Sequence, residues 1–413
     1  MELLNQPFNG QLGNRLIELL DSFDYHTLNI VVAFAKNSGV LRIKDAIERF
    51  RGRGGKVNVY VGIDLGVTSY EALTALLLHT DSLNVVHSEK GQTFHPKIYQ
   101  FVGEHKGLMV VGSHNLTGGG LWTNFESSVL LSTTSSTDRE KILLGEVDSH
   151  IKNLDSLKNS IMSIHTQDDI DELLQNTYIL KEVTEQVRLA KAVKQNKNRK
   201  RLFGNGVPAS LPRIITSKEH MVPAANVATA GPNSLTASQG DKTIWFETRR
   251  MTGGSRNILD LSKKSLVERG DPIGTSFDLG ESGFMRGGVE FFGLDPTATD
   301  RIKNITLNFE GIDYTDNTIL FPIGKNANGT WRLQIKGSSD KDITEVFAIK
   351  AKARNEEYYL INKVITFTKI QDDYYFISVF PESELEDFKA ASHILARNGS
   401  TTRAKWLGIL ETA

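Results

Sequence analysis

The chain has 413 residues, no cysteine, 39% apolar residues and a net charge of −1. Disulfides, thiolate catalysis and Cys-based zinc sites are therefore excluded, and any surface for nucleic acid must be local rather than a property of the whole chain. The length favours two domains or three. No run of eighteen apolar residues occurs, and the opening Met-Glu-Leu-Leu-Asn-Gln lacks the basic and apolar regions of a signal peptide, so a soluble, cytoplasmic protein without a membrane segment is expected.

Residues 1–175 read as α/β. The nearly continuous apolar run 27–35 suits a strand buried on both faces. Ser38 is placed to cap a helix whose Val40, Ile43, Ala46, Ile47 and Phe50 make one stripe, and Gly52, Gly54 and Gly55 end it. Residues 57–63 make a second buried strand, Ser69 starts a helix through Leu78, and 84–87 make a short strand. Strands at 97–102, 108–112 and 125–132 and a helix at 138–157 follow. The alternation predicts a largely parallel or mixed sheet flanked by helices. Residues 176–240 read as a connector. Seven basic residues and no acid lie between positions 188 and 201 (Arg188, Lys191, Lys194, Lys197, Arg199, Lys200, Arg201), and Gly, Ser, Ala, Pro and Asn dominate up to Gly240. A basic helix running into a flexible linker is expected, its charge serving as a solvated helix end or as a tether to phosphate. Residues 241–413 read as mainly β, with strands at 243–248, 288–293, 305–309, 318–322, 331–336, 357–368 and 374–380. Turns are expected at Asp316-Asn317 and Asn328-Gly329. Strands this short suggest a small barrel.

The chemistry concentrates in the first part. Residues i and i+2 of a strand share a face, so His95 and Lys97 project together around Pro96. An imidazole can attack or shuttle a proton while an ammonium neutralises phosphate charge, a pairing suited to a phosphodiester without metal. Gly112 permits close backbone approach to a phosphate. Ser113 and Asn115 share a face and can donate to its oxygens. The 116–122 stretch, with Gly118, Gly119 and Gly120, is expected to form a short helical turn whose N–H groups add to the anion site. Glu126 can orient His95 and hold its tautomer. A second triplet, His150-Ile151-Lys152, falls in the helical pattern of Ile142, Leu143, Val147 and Ile151, where i and i+2 do not face each other. It is set aside.

His95-Pro96-Lys97, Gly112-Ser113-His114-Asn115 and Asn124-Phe125-Glu126 together resemble the phospholipase D superfamily. Over residues 25–135 the match is closest to its restriction endonuclease branch, the BfiI/NgoFVII type. The superfamily usually carries Asp five residues after the Lys. Here that position is Val102, and the restriction branch likewise lacks the Asp and uses a Glu at the place of Glu126. The resemblance implies a phospholipase D-like nuclease domain in which His95 forms a phosphohistidine. A second copy of His95 protonates the leaving 3′ oxygen and then activates water, and Lys97 and Asn115 stabilise the phosphorane. One usable motif per chain implies a homodimer with a shared site. No divalent metal or other cofactor is implied.

The C-terminal part resembles the B3-like DNA-binding domain of the same restriction family, a β pseudobarrel with two arms in the major groove. Two polar loops carry the resemblance, one with Arg249, Arg250, Ser255, Arg256 and Asn257 and one with Lys325, Asn326, Asn328 and Arg332. Arg suits guanine and Asn suits adenine. Trp245 and Trp331 read as core residues. The reading is thus 1–175 nuclease, 176–240 basic helix and linker, and 241–413 recognition of double-stranded DNA in a restriction system. A phospholipase D-type lipid phosphodiesterase and a catalytically idle DNA-binding regulator are the alternatives. Some members of the branch act with a helicase-like ATPase subunit. This chain has no Gly-x-x-x-x-Gly-Lys-Ser/Thr loop, so ATP would enter only through such a partner.

Overall fold

A computed structural model describes residues 1–134, 138–157, 159–195, 210–214, 242–250, 253–324 and 329–410. They divide between two units, the first built on Met1–Glu182 and the second chiefly on Gln239–Ala413. Most of the expected linker, from residue 196 to 241 apart from 210–214, lies outside the described residues.

The first unit contains β1 (Glu2–Gln6), α1 (Leu12–Asp21), β2 (Thr27–Val32), α2 (Asn37–Gly52), β3 (Lys56–Gly62), α3 (Tyr70–His79), β4 (Ser82–Val86), β5 (Lys97–Val102), β6 (Lys106–Gly112), β7 (Glu126–Thr134), α4 (Asp138–Asp155), β8 (Ile161–Ile164) and α5 (Gln167–Gln175). The strands form one mixed sheet in the order β1-β7-β6-β5-β2-β3-β4-β8. Pairs β2–β3 and β3–β4 are parallel, because a helical crossover joins the members of each and returns the chain to the same end. The other pairs are antiparallel. The expected stripe of α2 is buried, each large apolar side chain contributing about 1.5–3 kcal/mol. Gly54, at φ +91°, lets the chain leave α2 while the Gly55 N–H returns to the Phe50 carbonyl. Ser69 caps α3 as expected, accepting the Ala72 N–H. Ser38 does not cap α2. It lies inside the helix, and its Oγ accepts the Gly118 N–H at 3.1 Å.

A row of side-chain amides crosses the centre of this sheet. Ser82 Oγ donates to Asn58 Oδ1, Asn58 Nδ2 to Asn29 Oδ1 and Asn29 Nδ2 to Gln100 Oε1, each at 2.9 Å. A one-residue slip of any of these strands would turn its amide to the opposite face, so the row specifies register. At one edge, β1 pairs with β7 with Gln6 opposite Glu126. Gln6 is buried. Its Nε2 donates to the carbonyls of Gly119, Gly120 and Asn124 at 3.3, 3.1 and 3.0 Å, and its Oε1 accepts the Leu12 N–H. Those carbonyls belong to or follow a single π-helical turn, Gly119–Thr123. The same turn carries Trp122, against which Gly13 of α1 lies so closely that a Cβ would fall 2.2 Å from the indole.

The second unit contains α6 (Glu182–Gln195), which starts at the last residue of Met1–Glu182, then β9 (Lys242–Glu247), β10 (Ile258–Leu261), β11 (Lys264–Arg269), β12 (Phe284–Arg286), β13 (Ile302–Phe309), β14 (Ile312–Leu320), β15 (Trp331–Gln334), α7 (Ile343–Ala353), β16 (Lys363–Gln371), β17 (Tyr374–Pro381), α8 (Leu385–Ala391), β18 (Ile394–Arg397) and β19 (Trp406–Leu410). Its strands hydrogen-bond in the order β10-β15-β14-β13-β17-β16-β9-β19-β18-β11-β12. The unit is mainly β as read, with more strands than the seven expected. Residues 288–293 are not a strand. They form a 3-10 turn that buries Val289, Phe291 and Phe292 and ends on left-handed Gly293, so their apolar run reflects burial rather than extension. Asp316-Asn317 is likewise not the hairpin turn. It sits inside β14, where the register with β13 shifts. The turn between those strands is Glu310-Gly311, both at positive φ (51° and 82°), the requirement of a two-residue type I′ loop. Trp245 and Trp331 are buried in the core, their indole N–H groups donating to Ser392 Oγ and the Pro296 carbonyl. No helix among the described residues is long and apolar enough to cross a membrane.

Candidate active site

The order β7-β6-β5 puts three strand ends side by side. His95 and Pro96 lead into β5, Ser113, His114 and Asn115 follow β6, and Glu126 opens β7. Because these strands are antiparallel, the start of β5, the end of β6 and the start of β7 all lie at one end of the sheet.

Lys97 is the first residue of β5 and only 8% exposed. Its Nζ lies 2.8 Å from Nδ1 and 2.9 Å from Nε2 of His95, and 3.0 Å from the His95 carbonyl oxygen. An ammonium has donors only, so it meets the ring as a donor. Burial pushes the Lys97 pKa below the usual lysine value, and the negative charge of Glu126 opposes that shift. The exposed His95 ring stands edge-on to Phe34, with centroids 5.8 Å apart.

Glu126 is held by the neighbouring strand. Its Oε2 accepts a short hydrogen bond from Ser113 Oγ, and its Oε1 accepts from Asn124 Nδ2 at 3.3 Å. Ser113 Oγ also accepts the Ser127 N–H at 3.0 Å. Glu126 has no hydrogen bond to His95 in this structure, and its charge acts on Lys97 instead. Among the described residues Asn115 Oδ1 is buried without a hydrogen-bond partner. His114 points away from this group. It is fully buried, its Nδ1 is 2.6 Å from Ser128 Oγ, and burial pushes its pKa down to about 4.

The turn after Asn115 does not offer the N–H groups expected of it. Gly118 N–H goes to Ser38 Oγ, Gly120 N–H to Thr117 Oγ1 and Leu121 N–H to the Thr117 carbonyl. The tight packing of the glycines explains their presence instead, since a Cβ at Gly120 would lie 2.4 Å from the Asn115 carbonyl oxygen. The set-aside His150-Ile151-Lys152 lies on α4, as its periodicity indicated. Among the described residues no three His, Asp or Glu side chains gather in a way that could hold a metal ion.

Sequence reasoning missed Gln6, Asp64 and His87, all of which touch the backbone or side chains around this site. Gln6 holds the turn between Asn115 and Glu126. Asp64 accepts from the Phe94 N–H, one residue before His95. The one signal for Asp64 was an acid followed by Leu65-Gly66 at the exit of a buried strand.

In the second unit, Arg249 forks onto Glu247 (Nε–Oε1 2.8 Å, Nη2–Oε2 3.2 Å) and its Nη1 donates to the Arg403 carbonyl. Burial pushes the Glu247 pKa up, but Arg249 and the Trp406 N–H outweigh this and hold it low. Arg250 is exposed, Arg256 lies over the Tyr358 ring at 5.8 Å, and Arg332 is 3.9 Å from Asp260. Ser255 and Asn257 give their carbonyls to the Ile258 and Ile335 N–H groups. Lys325, Asn326 and Asn328 lie outside the described residues. The two polar loops leave opposite ends of the β10–β15 ladder, since Ile258 pairs with Gln334 and Leu261 with Trp331. Four paired residues span about 13 Å. On α6, Val183 and Val187 are buried with Trp245, Val364 and Phe388, while Arg188 is exposed and Lys191 pairs with Asp387. The remaining basic residues of that run, from Lys194 onward, lie outside the described side chains.

No protein-family model matches the chain, and no curated protein matches it either. Solved structures do. The phospholipase D family member Nuc from Salmonella typhimurium is similar at 15% identity over 40% of this chain and 97% of its own, with a TM-score of 0.31. NucT from Helicobacter pylori is similar at 18% identity over 37% of this chain and 93% of its own, with a TM-score of 0.27. Phosphatidylserine synthase from Haemophilus influenzae Rd KW20 is similar at 15% identity over 47% of this chain and 46% of its own, with a TM-score of 0.31.

Proposed function

We propose that the protein is a sequence-specific double-stranded DNA endonuclease of a restriction system, with a phospholipase D-like catalytic domain at residues 1–175 and a B3-like recognition domain at 241–413. The observation that carries this reading is the buried ammonium of Lys97 seated against the exposed imidazole of His95, at the sheet end where Ser113, Asn115 and Glu126 also emerge. A scissile phosphate entering there displaces the ring–ammonium contact and takes Lys97 as its counter-charge. Of the Asn115 amide, only the N–H₂ end can donate to a phosphate oxygen, and that end makes the further contact.

In the proposed reaction His95 attacks phosphorus, the P–O3′ bond breaks, and the 3′ oxygen takes a proton from the His95 of a second protomer. That imidazole then removes a proton from water, which attacks the phosphohistidine and frees a 5′-phosphate and the first ring. The net change is addition of one water across the diester. No divalent metal enters, and a homodimer supplies the second imidazole. Glu126 acts through Lys97 and Ser113. Residues 176–240 tether the two domains in a cytoplasmic enzyme, and ATP enters only with a helicase-like partner.

Digestion of a mixed plasmid pool in EDTA, repeated with magnesium and with ATP and followed by end sequencing, tests the proposal. Cleavage at a recurrent sequence in EDTA, lost in His95→Ala, supports it. Choline release from phosphatidylcholine without DNA cleavage would make the protein a lipid phosphodiesterase, and sequence-selective binding without cleavage would make it a regulator.

A further inference from the structure

His95 is presented by residues 87–96, which join β4 to β5 without helix or strand of their own. Connections of this kind open easily unless their backbone is tied down, and a catalytic ring carried on one must be held. A single carboxylate ties both ends of this one. Asp64 Oδ1 lies 2.7 Å from His87 Nδ1, and Asp64 Oδ2 accepts the Phe94 N–H at 2.7 Å. Asp64 itself is 8% exposed. It follows β3 in a turn where Leu65, at φ +61°, takes the left-handed conformation and leaves its side chain 72% exposed. Side chains other than glycine keep such a conformation only where the surroundings dictate it.

The anchors around Asp64 are themselves fixed. The His87 N–H donates to the Ser160 carbonyl at 3.0 Å, and its ring stands edge-on to Tyr178 at 5.3 Å. Phe94 lies close against Gly62 at the end of β3. A Cβ at Gly62 would sit 3.0 Å from the Phe94 carbonyl oxygen and 2.7 Å from that of Ala33. The carboxylate therefore grips a backbone that packing already confines, and it does so one residue before His95.

We propose that Asp64, with His87 as its second contact, is a positioning residue that fixes the His95 ring for attack by holding the Phe94 peptide. The inference rests on His95 being the nucleophile, and it goes beyond that reading by naming what aims the ring. A displacement of about 1 Å is enough to lower a rate about a hundredfold.

The test uses full-length protein, bis(para-nitrophenyl) phosphate as the diester, EDTA throughout, and hydrogen exchange read by mass spectrometry. Asp64→Ala should lower kcat by about a hundredfold with KM little changed, and should speed exchange in the peptide covering residues 88–96. Asp64→Asn keeps an acceptor for the Phe94 N–H and should recover part of kcat, which a general loss of stability would not allow. It also serves if Asp64→Ala does not fold. Wild-type kcat in Asp64→Ala, or unchanged exchange across 88–96, overturns the inference. Failure of the wild-type protein to hydrolyse the diester would instead remove the nucleophile reading, and the exchange result would still decide whether Asp64 holds the segment.

Discussion

Replacing Lys97 with methionine should separate activity from stability. Lys97 is 8% exposed, and among the described residues its Nζ hydrogen-bonds only to His95 and no carboxylate forms an ion pair with it. Burial holds its pKa below the usual lysine value. Between that lowered pKa and the ordinary one, the unfolded chain binds a proton that the folded chain has released, so stability rises with pH across the window. Below the window the buried charge opposes folding. Methionine removes that opposition and keeps an unbranched apolar stem in the same space. Against it stands the loss of the contacts with His95, worth about 1 kcal/mol. The two effects offset, and the unfolding free energy should change by less than about 1 kcal/mol. Transition-state stabilisation is lost in full, about 10²–10³-fold in kcat. Thermal unfolding at neutral pH, beside hydrolysis of bis(para-nitrophenyl) phosphate in EDTA, measures both. A variant that retains wild-type kcat, or one whose stability collapses along with its rate, refutes the reasoning.

His114 and Glu71 should tilt the pH dependence of stability in opposite directions. The His114 pKa is pushed down to about 4, so the unfolded chain protonates first as pH falls below the ordinary histidine value. The fold then loses up to about 3 kcal/mol on the way to pH 4, and urea unfolding of His114→Leu should show a flatter acid limb. Glu71 accepts the Glu182 N–H, and burial followed by the Glu182 charge pushes its pKa up to about 7. Its contribution is greatest below the ordinary glutamate value and is lost as pH rises through about 7, so Glu71→Gln should raise Tm under mildly alkaline conditions and leave it unchanged in acid. If the second unit reads DNA as proposed, Arg256→Ala should relax selectivity at one base pair by about 1–3 kcal/mol. Arg249→Ala should lower Tm as well, since it strips the fork from Glu247, which is 6% exposed. If both variants keep full site preference in a binding assay, the arm assignment fails.

The start of β5 could be read from one chain because a period of two needs no partner, but His95 lies in the connection before that strand, so its contact with Lys97 is not a product of strand alternation. Lys97 does open a strand, and the apolar stripe of α2 and the cap at Ser69 rest on equally local rules. What depended on pairing between distant segments was hidden. Ser113 reaches Glu126 because Gly112 pairs with Ser128, a register no local pattern encodes. Ser38 had the right chemistry for a cap, but an orphan N–H eighty residues later uses its oxygen. In the second unit, Val289, Phe291 and Phe292 looked like a strand because burial alone makes an apolar run. Asp316-Asn317 looked like a turn because a bulge recruits the same residue types. Strand β1 escaped notice because a five-residue edge strand buries little and alternates weakly.

That edge strand ties residues 2–6 to the candidate site. Through Gln6 the first six residues hold three carbonyls in and just after the turn between Asn115 and Glu126, and Gln6 lies opposite Glu126 itself. On the proposed reading, substitution of Gln6 would therefore disturb the site through that turn, whereas a strand on the far edge of the sheet could be altered without reaching it.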